Sequence, residues 1–73
     1  MITFEEAKAI ALKHYPQANC CHEYDKGYHF FDKNVDSDGD CGIVVLKSSS
    51  DIISFVPFLL HHSPNSKYME HRI

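Results

Sequence analysis

The feature that most constrains this chain is a single change of hydrophobic period. Between Thr3 and Tyr15 apolar side chains recur at helical spacing, and from Cys20 onward they alternate residue by residue. On a helical wheel Phe4, Ala7, Ile10, Ala11 and His14 share one broad face, with Glu5, Glu6 and Lys13 opposite. Thr3 stands at the N-cap position, and Glu6 three residues later completes a capping box. Ile2 precedes them as a staple partner for Ala7. Tyr15-Pro16 stops the run, because the residue before a proline is pushed out of the α region. The sequence therefore predicts an amphipathic helix over 3–15.

The rest reads as strands. Cys20, His22 and Tyr24 alternate with Cys21, Glu23 and Asp25, and Lys26-Gly27 supplies a turn. Tyr28 and Phe30 alternate with His29 and Phe31 in a second, aromatic strand. Ile43-Val44-Val45-Leu46 is a continuous apolar run suited to a strand buried on both faces. Residues 48–51 form a hairpin connection and 52–56 the return strand, which Pro57 confines to an edge or ends. Pro57-Phe58-Leu59-Leu60 has the makings of a short helix, since proline suits a first helical turn. The tail from Ser63 is polar, with Pro64-Asn65-Ser66 as a turn.

These elements predict an α+β fold in one small domain spanning 1–73: an N-terminal amphipathic helix packed on a three- or four-stranded antiparallel sheet. Ala7 and Ala11 give the helix a shallow face that approaches a sheet closely, above Phe30, Val45, Ile53 and Phe55. At 73 residues one core supplies only about 3–5 kcal/mol, and the exposed aromatics and the edge strand point to self-association.

Composition narrows the function classes. Lys and Arg number 7 against 10 Asp and Glu, for a formal charge of −3. Nucleic-acid binding needs a basic stripe to neutralise phosphates, and a polybasic membrane contact needs the same sign of charge. The longest apolar stretch, 52–60, is broken by Ser54 and Pro57 and is about half of what spans a bilayer. The acidic start, Met1 to Glu6, is unlike a secretory leader. Three cysteines, two of them adjacent, fit reduced thiols and a cytoplasmic setting better than a disulfide framework.

Two constellations bear on metals. Taking Asn34 as position one places Asp36, Asp38 and Asp40 at three, five and seven, with Gly39 at six, as in the first half of a calcium loop. Position twelve is Val45 where that loop requires a glutamate, so the segment reads first as a polar hairpin loop. Cys20, Cys21, His22 and Cys41, with His14 and His29, hold enough soft donors for zinc. They lack a Cys-x2-Cys pair, and neighbours on a strand point to opposite faces. His61-His62 and His71 near the C-terminus are likewise not spaced to converge. Cys41, beside Gly42, is the position for an exposed thiol nucleophile, but no orienting group or Ser-His-Asp order accompanies it. No Gly-rich phosphate loop is present.

The expectation is thus a non-enzymatic chain without a cofactor that works through a protein surface. Tyr24, Tyr28, Phe31, Phe55 and Phe58 are its candidate binding residues, because aromatics anchor interfaces and this many are not expected to be buried at once. The acidic balance suits a basic protein partner. A homodimer is expected as well, with Phe55 or Phe58 set against its symmetry mate. The alternative is a small metal-binding protein using loop 34–40 or the Cys and His groups.

The aromatic strand Gly27-Tyr28-His29-Phe30-Phe31, the hairpin of Ile43-Val44-Val45-Leu46-Lys47 with Ile52-Ile53-Ser54-Phe55, and the leading Phe4-Glu5-Glu6-Ala7-Lys8-Ala9-Ile10-Ala11 carry a resemblance. The chain resembles short uncharacterised bacterial proteins of the gut Firmicutes type and, more distantly, small toxin-immunity proteins such as the immunity protein 35 family. The resemblance implies an α+β domain that neutralises a partner enzyme by binding it. It rests on pattern and transfers no functional residue.

Overall fold

A computed structural model of the chain describes residues 1–33 and 42–73. Helix α1 runs Phe4–His14, between the caps Thr3 and Tyr15 that the sequence predicts. The Glu6 amide donates to Thr3 Oγ1 at 3.3 Å, and the Thr3 amide donates to Glu6 Oε1 at 3.1 Å. This reciprocal pair satisfies two of the donors that every helix start leaves open. Ala7 and Ala11 are fully buried, Phe4 and Ile10 partly, and His14 is exposed at the last turn.

Strands β1 (Cys20–Glu23), β2 (Gly27–Phe31), β3 (Ile43–Leu46) and β4 (Ile52–Ile53) follow as an antiparallel meander. Helix α2 (Phe55–His62) and strand β5 (Met69–Arg72) complete the chain. The sheet order is β4-β3-β2-β1-β5, so the last strand returns to the free edge of β1. Five strands thus replace the three or four expected, and the fold is α+β as predicted.

The return strand ends three residues early. After Ile53 the chain turns helical, with Ser54 at the N-cap and Pro57 in the first turn. An amide at that position has no intrahelical acceptor, so proline gives up nothing there. The strand expected over 52–56 and the helix expected from Pro57 resolve into a two-residue strand and a helix that opens at Phe55.

The sheet divides the hydrophobic residues into two clusters. Under α1 lie Ala7, Ala11, Ala18, Cys21, Tyr28, Phe30 and Val45, with Ile43 and Ile52 at the margin. On the other face lie Tyr24, Val44, Leu46 and Phe58, with Ile53 and Phe55 at the margin. Ile53 and Phe55, expected beneath α1, belong to this second cluster: alternation along β4 points Ile53 away from the first helix, and Phe55 opens α2 on that same face. Strand β3 is enclosed on both faces, as its unbroken apolar run requires.

Candidate functional site

Alternation along β1 and β5 decides which side chains meet. Cys21 and Glu23 point toward the α1 side, as do their partners His71 and Met69. Cys20 and His22 point to the other side, facing Arg72 and Glu70. Helix α2 packs over β3. The β1–β5 half of that second face is dressed instead by its own polar and aromatic side chains.

That half holds a compact cluster. Cys20 Sγ donates to Glu70 Oε2 at 3.6 Å, and His22 Nε2 lies 3.5 Å from the same oxygen. Lys33 Nζ reaches it at 3.2 Å. The His22 ring is stacked on Tyr68 with centroids 4.0 Å apart, and meets Phe31 edge-on at 4.8 Å. Cys20 is 1% exposed and lines, with Asn19, Lys33 and Arg72, a shallow cavity of about 270 Å³. Asn19 holds the rim: its side chain donates to Asp32 at 2.9 Å and accepts from the Lys33 amide at 2.9 Å.

The electrostatics follow from these neighbours. Lys33 holds the Glu70 carboxyl below its usual range, helped by the Cys20 and His22 contacts. Burial pushes the Cys20 thiol up, and the hydrogen bond and charge of Glu70 push it further. Burial under α1 pushes Cys21 up to about 12. Both are free thiols held in the neutral form, the opposite of what a thiolate nucleophile needs.

On the α1 side Glu23 accepts from Lys47 Nζ at 2.9 Å and pairs with His71 Nε2 at 2.8 Å. Lys47 chiefly, and His71 after it, hold the Glu23 carboxyl below its ordinary value against the opposing effect of burial. The His71 ring also stacks on Phe4 at 4.1 Å, so one histidine ties β5 to α1 and to β1.

The five aromatic candidates lie largely inside the monomer. Phe58 is fully buried, and Tyr24 and Tyr28 are buried with it in the two clusters. Phe31 and Phe55 are half-buried, the first against His22 and His29, the second stacked on His29 at 4.0 Å. The large apolar side chains that face solvent are others: Val56 at 38%, Leu59 at 43% and Leu60 at 70% on α2, Tyr68 and Met69 before and in β5, and the terminal Met1 and Ile73. The helical period of 55–62 is the signal that separates them. Phe55 and Phe58 form the inner stripe, leaving Val56, Leu59 and Leu60 outside.

The acidic-loop candidates Asn34, Asp36, Asp38 and Asp40 lie outside the described residues, and so does Cys41. Cys20 and Cys21 do point to opposite faces, as their adjacency requires. No residue pattern announces that β5 brings Glu70 beside Cys20 and His22. Among the described residues no helix is long and apolar enough to cross a membrane. A scan against known families finds no matching family model, and searches of curated proteins and solved structures find no significant match.

Proposed function

We propose that the chain is a non-catalytic protein-binding module, inhibitory and immunity-like in kind, that docks through the outward stripe of α2. One observation carries this reading. Six of the eight residues of Phe55–His62 are apolar, yet only Phe58 is fully buried, and Leu59 and Leu60 face solvent. A helix this apolar around its circumference is normally enclosed on more than one side. The tail does not enclose it, because Met69–Arg72 pairs with β1 at the opposite side of the sheet from β4. The partner is a protein of basic surface, since a chain of charge −3 draws such a partner in faster.

The spacing of Val56, Leu59 and Leu60 favours a second use of the same surface. Residues at i, i+3 and i+4 form the seam along which two copies of one helix pack about a twofold axis. The homodimer expected through Phe55 or Phe58 is therefore proposed through this stripe instead, Phe58 being fully buried within the monomer.

The test is co-expression with the product of the adjacent reading frame. The reading predicts that the neighbour arrests growth alone and is neutralised by this chain. Leu59→Asp with Leu60→Asp should weaken binding about thirtyfold or more, as for central interface residues. A harmless neighbour, or neutralisation unaffected by the double substitution, overturns it.

A further inference from the structure

We propose that Cys20, His22 and Glu70 form a binding site for a divalent transition metal of the zinc class, built from β1 and β5. Cys20 and His22 are two apart on β1 and so share a face, and Glu70 is the residue of β5 directly opposite His22. Two strands thereby deliver sulfur, imidazole nitrogen and carboxylate oxygen to one point, the donor types zinc prefers.

The distances support it. Ligands about 2.0–2.3 Å from a tetrahedral zinc stand about 3.3–3.6 Å from one another. Sγ to Oε2 is 3.6 Å and Nε2 to Oε2 is 3.5 Å, so two of the three edges have their liganded length already. All three donor atoms lie within 4.8 Å of each other, and the remaining Sγ to Nε2 edge closes by no more than about 1.5 Å. The His22 ring is held in orientation by Tyr68 and Phe31, which limits what is lost on binding. The cavity lined by Asn19, Cys20, Lys33 and Arg72 lies against Cys20 and gives the ion its approach. Three protein ligands leave a fourth position for water or an anion.

Lys33 is the competitor. Its ammonium sits 3.2 Å from Glu70 Oε2 and stands in for the cation there. Its side chain is 49% exposed, so it can swing into solvent when the metal arrives. On loading, a metal–sulfur bond forms, the Cys20 thiol proton passes to water, and the Lys33 contact breaks. No oxidation state changes.

The proposal is independent of the α2 docking surface and is tested on chain prepared without a histidine tag and stripped with a chelator. Titration with Co²⁺ should give the intense thiolate-to-cobalt charge-transfer absorption at one equivalent, and Zn²⁺ should bleach it. Cys20→Ser should abolish that absorption. Glu70→Gln, at an exposed edge position that leaves the core intact, should weaken binding about tenfold or more. Lys33→Gln should tighten binding about two- to fivefold, by removing an exposed competing ion pair. His61→Gln with His62→Gln should leave the titration unchanged. Absence of the thiolate band overturns the proposal, as does a band that persists in Cys20→Ser. So does binding lost with His61 and His62 but indifferent to Glu70.

Discussion

Gly27 shows how one residue decides the depth of a helix. A Cβ there would meet the Val45 carbonyl oxygen at 3.0 Å, Val44 Cγ1 at 3.1 Å and the Phe58 ring at 3.2 Å. The missing side chain is what lets α2 lower Phe58 onto the sheet. Gly27→Ala should therefore lower unfolding stability by about 1–3 kcal/mol, the usual cost of overpacking, read by urea denaturation. Gly42 is constrained differently: its φ of +72° and the Phe30 carbonyl beside it exclude any Cβ. Glu23 sets a pH dependence. Its folded pKa lies below the ordinary 4.5, so its pairing with Lys47 and His71 stabilises the fold above that value. The contribution disappears as pH falls through the folded pKa, below 4.5. Glu23→Gln should cost about 1 kcal/mol at neutral pH after solvent screening, and the gap to wild type should close on acidification. Thermal melts from pH 7 to pH 3 read both. At this scale the capping pair Thr3 and Glu6 was legible because a cap is a local event. The burial of Tyr24 and Phe58 was not, because it depends on which face a second helix covers.

Among the elements, α1 and the first three strands follow directly from period and punctuation. Helix α2 was half legible: its apolar run fits strand and helix alike, and Pro57 marks an edge in one reading and a first turn in the other. Tertiary packing of Phe58 and Phe55 against Tyr24 and His29 settles it. Strand β5 was hidden for a physical reason. Met69-Glu70-His71-Arg72 is short and charged, as edge strands that avoid pairing with other chains tend to be, and so looks like a solvated tail. It is held by His71 against Phe4 and Glu23, by the β1 ladder, and upstream by the Asn65 amide donating to Asp25 at 2.8 Å. Helix α2 ends on Ser63 in the left-handed region, at φ 44° and ψ 57°. A residue without a Cβ belongs there, so Ser63→Gly should stabilise the chain by about 0.4–1 kcal/mol, measured as a higher melting temperature.

For the whole molecule the consequence is asymmetry. One face of the sheet is closed by α1 over small alanines, while the other carries a short helix whose outer stripe is apolar and a polar cluster at the far strands. The Cys20, His22 and Glu70 arrangement was illegible in sequence because its members lie up to 50 positions apart and meet only when β5 adds to β1. The outward stripe of α2 is proposed as a contact surface even in the isolated chain. Light scattering across a micromolar dilution series tests it most directly. Pairing through this stripe predicts a mass rising toward twice 8.4 kDa with concentration, and a constant 8.4 kDa for the chain carrying Leu59→Asp and Leu60→Asp. A wild-type mass of 8.4 kDa at every concentration, or a dimer that survives the double substitution, would contradict it.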